Sequence, residues 1–130
     1  MINMNTKEKF FSFKGRIRRS AFGIRTIALC IIGIIIYFLS MAIIGMILSD
    51  NILIILLLLI LLMAIINYIA YLMQIVKRLH DLDKEGIWAI LIFVPLVSFI
   101  FLLYLIFADG TVGPNRYGED PKGRTPYNTT

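Results

Sequence analysis

Three long apolar stretches without a single Asp, Glu, Lys or Arg dominate the sequence. They run from Ile27 to Leu48, from Ile52 to Val76 and from Ile87 to Phe107, and they are 22, 25 and 21 residues long. An α-helix rises about 1.5 Å per residue and the hydrocarbon core of a bilayer is about 30 Å thick, so each stretch can cross a membrane once. The pattern predicts an all-α membrane protein with three transmembrane helices at 26–48, 52–76 and 87–107.

The composition supports a single membrane domain over residues 1–130. The chain is 59% hydrophobic and 16% charged, against about 45–50% and about 25% in ordinary soluble domains. The first apolar stretch is longer than the core of a secretion signal, which is about 7–15 residues. Because Cys30 is the only cysteine, an internal disulfide is excluded.

Basic residues are concentrated before the first helix. Residues 1–25 contain seven of the thirteen Lys and Arg but only one acidic residue, Glu8. In a membrane protein such a cluster is attracted to the anionic cytoplasmic leaflet by about 1 kcal/mol per basic residue. We therefore expect anionic lipid headgroups, and not nucleic acid, as partners of Arg16, Arg18 and Arg19.

The segment KEKFFSFKGRIRRSAFGIR mixes aromatic and basic side chains. Phe10, Phe13, Ile17 and Ile24 share one helical face, which is typical of an amphipathic segment lying along the membrane surface. Gly15 interrupts this face, so a turn followed by a helix from about Arg16 fits the sequence equally well.

The charges of the loops predict the orientation. The turn from Ser49 to Asn51 has no Lys or Arg, whereas the loop at 77–86 has three. Short loops that carry positive charge stay in the cytoplasm, so we expect a cytoplasmic amino terminus and, after three crossings, an external carboxyl tail. Pro95 would kink the third helix or mark a re-entrant hairpin. We favour a full crossing, because two limbs of about ten residues would each reach only about 15 Å into the bilayer.

Polar and small residues form stripes on the first two helices. Helices in lipid associate through close packing and hydrogen bonds, so such stripes indicate where helices touch. A short turn makes the helices antiparallel, and residues at equal depth then have numbers that sum to about 100, as Gly33 and Asn67 do. The sequence predicts a packing seam, with a ligand or ion path as the alternative; its residues are Gly33, Tyr37, Asn67, Tyr71 and Gln74.

The stretch QIVKRLHDLDKEGIW contains the only histidine of the chain. One histidine and one cysteine do not provide the converging ligands of a metal site, and the nucleophile elbow of serine hydrolases is absent. Cations at the end of one helix and anions before the next suit the two helix dipoles, which favours a structural role. A binding or regulatory role for Arg78, His80 and Asp81 remains open, as does a lipid-modifying reaction that uses His80 and Asp81.

Three motifs together resemble a family of small bacterial membrane proteins, domain of unknown function 805. The motifs are FKGRIRRSAF, KRLHDLDKEGIW and GTVGPNRYGEDP, which begin at Phe13, Lys77 and Gly110. The chain departs from the family at Gly23, where tryptophan is common. The resemblance implies an inner-membrane protein with several helices and no established reaction.

The resemblance also implies that the Gly/Pro-rich polar tail at 108–130 is ordered. The motif implies an ordered turn around Asn115 and Arg116, with Asp120 able to pair with a base such as Arg116. If the tail lay inside, all three motifs could form one cytoplasmic surface and a binding site would gain support.

These observations predict a non-enzymatic inner-membrane protein without a metal or cofactor. We expect it to act by association with lipid, with itself or with another envelope protein. The alternative is a subunit of an oligomeric pore or small transporter, because three helices are too few to enclose a pathway alone.

Overall fold

A computed structural model describes residues 11–46 and 50–125 of the chain. In chain order these residues form helix α1 (Arg19–Met46), helix α2 (Asp50–Asp81), a 3-10 helix (Gly86–Phe93) and helix α3 (Pro95–Phe107). The described residues contain no β-strand, only an isolated bridge between Asn115 and Gly118. The predicted all-α class is confirmed.

Helices α1 and α2 are both long and apolar enough to cross a membrane. Few side chains in their most apolar parts are buried within the protein. In water such a continuous apolar surface would be very costly, whereas hydrocarbon solvates it and leaves every backbone hydrogen bond inside the helix. The first two predicted spans are therefore matched by two helices of sufficient length.

The described residues before α1, at positions 11–18, are not helical. Residues 11–18 form bends, and Gly15 adopts φ +91°, a backbone conformation that residues other than glycine rarely take. Of the two possibilities that the sequence left open, the turn followed by a helix is observed, although the helix begins at Arg19 instead of Arg16. Phe10 and the rest of the predicted interfacial segment lie outside the described residues.

Helix α2 extends beyond the apolar stretch that predicted it. It continues to Asp81 and ends where Asp83 takes a left-handed conformation (φ 55°) and the N–H of Lys84 donates to the carbonyl of Leu79 at 2.9 Å. Such closure satisfies carbonyl groups at a helix end. The predicted loop at 77–86 is thus shortened to four residues, and Arg78 lies on the last turn of the helix.

The third apolar stretch is not one helix. Val94 is extended (φ −96°, ψ 109°) between the 3-10 helix and α3, and Pro95 begins α3. A residue before proline is disfavoured in the helical conformation, while proline itself suits the first turn of a helix. The favoured single crossing at 87–107, kinked at Pro95, is therefore wrong, and the break matches the hairpin that was the alternative.

Both ends of this segment lie beside the end of α2. Gly86 packs against Val76, and the N–H of Thr111 donates to the carbonyl of Asp81 at 2.9 Å. The two limbs rise about 16 Å and about 20 Å at the usual rises of the 3-10 helix and the α-helix. The segment is thus a hairpin, and the tail lies at the same end of the molecule as residues 11–18, not at the opposite end as predicted.

A small apolar core joins the segments at this end. Phe22, Ile75, Leu79 and Leu105 are fully buried, and Ile17 and Phe101 complete the cluster. Each fully buried side chain of this size contributes about 1.5–3 kcal/mol relative to its exposed state. The core therefore fixes the start of α1, the end of α2 and the hairpin against one another.

Labelling from one side of the membrane tests the hairpin. In a Cys30→Ser background, Lys14→Cys and Glu119→Cys should react with an impermeant maleimide from the same side, because both exposed positions lie at the hairpin's open end. Met46→Cys, which is 83% exposed at the far end of α1, is the control and should react from the other side. Labelling of Lys14→Cys and Glu119→Cys from opposite sides would contradict the hairpin and support a third transmembrane crossing.

Candidate functional site

All three sequence motifs meet at one end of the molecule, in a unit that we call the cap. The cap consists of residues 11–18, the end of α2 with its loop (78–85) and the tail at 108–125. Its centre is a buried ion-pair cluster, the clasp, in which the carboxylate of Asp81 lies between the guanidinium groups of Arg16 and Arg78. The side chains of these three residues are between 0% and 2% exposed.

Arg78 connects α2 to the hairpin and to the amino-terminal segment. Its Nε donates to the carbonyl of Leu105 at 2.8 Å, and its Nη2 donates to the carbonyl of Ala108. Its Nη1 donates to the carboxylate of Asp81 and to the carbonyl of Ile17. The carbonyls of Leu105 and Ala108 belong to the end of α3, which leaves its last carbonyls without helical partners. One planar guanidinium thus satisfies acceptors from three segments.

Arg16 connects the first motif to the second and third. Its Nε lies 3.1 Å from Oδ1 of Asp81, and its Nη2 donates to the carbonyl of Thr111 at 2.7 Å. Its Nη1 donates to the carbonyls of Gly113 (2.8 Å) and Gly118 (3.2 Å). The guanidinium is therefore fully used within the protein.

The tail passes very close to the clasp at Gly110. A Cβ at this position would overlap the carboxylate of Asp81 and would lie 2.6 Å from its Cγ. Thr111 follows and donates from both its N–H and its hydroxyl to the carbonyl of Asp81. A residue without a side chain is thus required for the tail to reach α2.

His80 lies on the surface of the cap beside the clasp. Its ring stacks on that of Tyr117, with centroids 3.8 Å apart and planes 6° from parallel. Its Nδ1 lies 3.3 Å from the carbonyl of Gly15, and the amide of Asn115 donates to its backbone carbonyl at 2.9 Å. His80 therefore joins the second motif to the first and third, as a packing and hydrogen-bonding residue.

Two further groups of charges stabilise the tail. Arg116 pairs with Asp83 (3.3 Å) and Glu85 (3.6 Å), and its guanidinium lies 5.0 Å from the centroid of Tyr117. Asp120 pairs with a different base from the one suggested by the sequence, because its partner is Arg124 at 2.8 Å.

Asp109 is another acidic residue of the tail that forms ion pairs. It accepts from Lys122 and from Arg124. The hydrogen bond from Lys122 lowers the pKa of Asp109 to about 2. Although burial opposes its ionisation, the pKa of Asp120 also lies below its usual value, because the N–H of Lys122 and the guanidinium of Arg124 stabilise the carboxylate. Both acids are thus ionised at neutral pH and hold the tail against Arg124.

The chemistry of the cap is that of a structural joint. Both oxygens of Asp81 face guanidinium groups, and the polar groups of Arg16 and Arg78 contact protein acceptors. Among the described residues, no three His, Cys, Asp or Glu side chains lie close enough together to hold a metal ion. The geometry therefore supports the structural role of Arg78, His80 and Asp81 more than a reactive one.

The three candidate headgroup ligands occupy different environments. Arg18 and Arg19 are exposed beside the start of α1, whereas the side chain of Arg16 is 1% exposed and lies in the clasp. Lipid binding stays a prediction for Arg18 and Arg19, and Arg16 has a different position from the one that we expected.

The polar seam between α1 and α2 also forms in part. The amide of Asn67 donates to the carbonyl of Leu29 at 3.3 Å, and a Cβ on Gly33 would lie 3.2 Å from the same amide, which matches the expected pairing of Gly33 with Asn67. Gln74 accepts from Arg25 at 3.1 Å. These contacts favour helix packing over a polar path on a shared axis.

The two tyrosines of the predicted seam do not pack tightly between α1 and α2. Tyr37 is 58% exposed and lies edge-on to Phe38. Tyr71 lines a lateral cavity of about 240 Å³ between the helices, together with Cys30 and Asn67. The predicted stripe is therefore closed near the cap and loosely packed farther along the helices.

Sequence reasoning missed several residues of the cap. Asp109 and Arg124 carried no signal beyond their charge, because their pairing depends on the fold of the tail. Gly110 and Tyr117 were visible as motif positions, but their contacts with Asp81 and His80 required the tail to lie at the same end as α2. The full-crossing prediction had separated them.

Replacing Asp81 by asparagine should destabilise the protein strongly. Asp81→Asn removes the carboxylate between two buried guanidinium groups, which typically costs about 3–5 kcal/mol of unfolding free energy. Loss of helicity in a denaturing detergent titration measures this cost. The matched control is Asp83→Asn, since Asp83 pairs with Arg116 where both side chains are about half exposed, at 46% and 52%; its loss should stay below about 1 kcal/mol. Equal losses in the two variants would contradict the clasp.

A methyl group at Gly110 should also loosen the cap. Gly110→Ala forces the tail away from Asp81, and overpacking of this kind costs about 1–3 kcal/mol. The same titration measures it. The control is Gly23→Ala within α1, where a Cβ meets nothing within 4 Å and alanine is the better helix former by about 1 kcal/mol. A Gly110→Ala protein as stable as the wild type would rule out the close approach.

Comparison with known proteins identifies a family and two similar membrane proteins. The profile of the family Protein of unknown function (DUF805) matches residues 10–119. The chain is similar to inner membrane protein YhaI of Escherichia coli K12, with 34% identity over 119 residues that cover 92% of this chain and 93% of that protein. It is also similar to inner membrane protein YhaH of the same organism, with 39% identity over 46 residues that cover 35% of this chain and 38% of that protein.

No solved structure matches the chain at a significant level. Two long apolar helices, three motifs joined in one cap and a family match over most of the chain place the protein in the DUF805 family of membrane proteins.

Proposed function

We propose that the protein is a non-enzymatic component of the bacterial inner membrane that associates with anionic lipids through its cap. In this proposal α1 and α2 cross the bilayer, the hairpin enters one leaflet only, and the cap lies on the cytoplasmic surface. The observation that carries the proposal is a set of exposed cations around the cap that are not used to hold the fold together.

The distribution of charge supports a cytoplasmic cap. All thirteen Lys and Arg residues lie in the amino-terminal part up to Arg25, in the segment 77–84 or in the tail, whereas the turn between α1 and α2 has none. A full third crossing would have divided these charges between the two sides. With a hairpin the eleven that belong to the described residues fall on one side, which is the bias that keeps short segments in the cytoplasm.

The cations of the cap, together with Arg19 at the start of α1, fall into two groups. One group is engaged in ion pairs and comprises Arg16, Arg78, Arg116, Lys122 and Arg124. The second group is exposed and has no ion pair within the described part of the chain; it comprises Lys14, Arg18, Arg19 and Lys84. Exposed cations on the cytoplasmic side of a membrane protein each attract anionic lipid by about 1 kcal/mol.

The saturated clasp supports a non-enzymatic role. A catalytic acid or base needs a proton that substrate can reach. Asp81 is instead 2% exposed and paired on both oxygens, and His80 is stacked on Tyr117. The cap thus offers a rigid charged surface more readily than a reaction site.

The exposed arginines can be tested directly. The double variant Arg18→Gln and Arg19→Gln should lose its preference for phosphatidylglycerol over phosphatidylcholine, because two headgroup-facing charges disappear. At about 1 kcal/mol per residue the two together should lower that preference more than tenfold at low salt, and less at high salt. Lipids that co-purify with the protein from mixed nanodiscs, quantified by mass spectrometry, give this preference.

A matched control removes the same charge from paired residues. Lys122→Gln with Arg124→Gln also eliminates two cations, but both are engaged with acidic partners, so the lipid preference should change little. If the Arg18 and Arg19 variant keeps the wild-type preference and salt dependence, the proposed function is wrong.

A further inference from the structure

The hairpin contains a groove between its two limbs. The 3-10 helix and α3 leave a cavity of about 200 Å³, lined by Lys84, Trp88, Leu91, Phe101 and Tyr104. Four of these five side chains present apolar surface, and the fifth is a cation at the open end of the hairpin. Trp88 is 51% exposed and Tyr104 is 42% exposed, so both rings are accessible from outside.

The charge of Lys84 is available because a neighbour neutralises the acids beside it. Lys84 lies between Asp83 and Glu85, which would be its natural partners. Arg116 reaches from the tail and pairs with both of them, at 3.3 Å and 3.6 Å. Lys84 is left exposed, with no ion pair among the described residues, while its backbone is held by the hydrogen bond to Leu79.

The two aromatic residues Trp88 and Tyr104, which line the same groove, each carry a hydrogen-bond donor. Within the described part of the chain, the indole N–H of Trp88 and the hydroxyl of Tyr104 have no hydrogen-bond partner. Both side chains have an apolar body and a polar tip, and such residues favour the headgroup level of a bilayer. An ammonium and two donors beside an apolar wall match the chemistry of a phospholipid, whose phosphate accepts hydrogen bonds and whose chains are apolar.

We propose that this groove binds one anionic phospholipid, with the phosphate at Lys84 and the glycerol region between Trp88 and Tyr104. The inference rests on the proposed function and deepens it, because it separates one defined lipid site from the general attraction by Arg18 and Arg19. The cavity has room for a headgroup but not for acyl chains. Those extend along the hairpin, where Ile87 and Ile100 are each 68% exposed.

Trp88 is the only tryptophan, so all tryptophan fluorescence comes from a side chain that lines this groove. The full chain is placed in phosphatidylcholine nanodiscs with increasing fractions of brominated phosphatidylglycerol or brominated phosphatidylcholine, and quenching gives the relative affinity of the two lipids beside Trp88. The wild type should prefer the anionic lipid. Lys84→Gln should lower this preference about fivefold, which is the effect of one basic side chain near the surface, and Lys84→Arg should retain it.

Lys14→Gln is the matched control. It removes the same charge from another exposed lysine of the cap that does not line the groove, and it should leave the quenching preference unchanged. Equal effects of Lys14→Gln and Lys84→Gln would overturn the proposal, because general attraction would then explain the preference. Absence of quenching by either brominated lipid would also overturn it, since something other than lipid would then cover Trp88.

The outcome can be separated from that of the proposed function. If Lys84→Gln leaves the quenching unchanged while the Arg18 and Arg19 variant loses co-purified phosphatidylglycerol, the groove is rejected and the general role stands. If Lys84→Gln alone reduces the preference, the groove is supported and the role of the two arginines is rejected.

Discussion

The carboxylate of Asp81 lies between two buried guanidinium groups, and the central contacts of the cap depend on this arrangement. Arg16 and Arg78 would each be costly to bury without an opposite charge, and one acid serves both. The remaining N–H groups of the arginines bind backbone carbonyls that α3 and the tail would otherwise leave without partners. The cluster therefore holds together segments that are far apart in sequence. Apolar packing of the small core is less directional and alone would hold these segments less specifically.

This arrangement explains why the third apolar stretch returns to its starting end. The tail must reach Asp81 through Gly110, while the stretch itself begins beside Val76 at the end of α2. A straight helix cannot meet both conditions. The extended Val94 and the helix-starting Pro95 supply the reversal.

The cap also assigns different roles to residues of the same type. Arg16 and Arg18 are two positions apart, yet one lies in the clasp and the other faces outward. Lys84 remains exposed because Arg116 binds the acids on either side of it. Saturated charges hold the fold, and the exposed ones are left for the lipids that we propose as partners. The hairpin contributes the apolar wall on which one of these cations can act.

The sequence by itself determined that the apolar parts of the protein lie in a lipid bilayer and that two long helices form. The length of an apolar run and its lack of charge can be read directly from consecutive residues. The sequence also determined the pairing of Gly33 with Asn67, which follows from helix periodicity and one short turn. Only the tertiary structure decided the direction of the third stretch and the partners of Arg16, Arg78 and Asp120. A proline permits either a kink or a reversal, and the choice depends on contacts such as that of Thr111 with Asp81, whose free energy is gained only when distant segments meet.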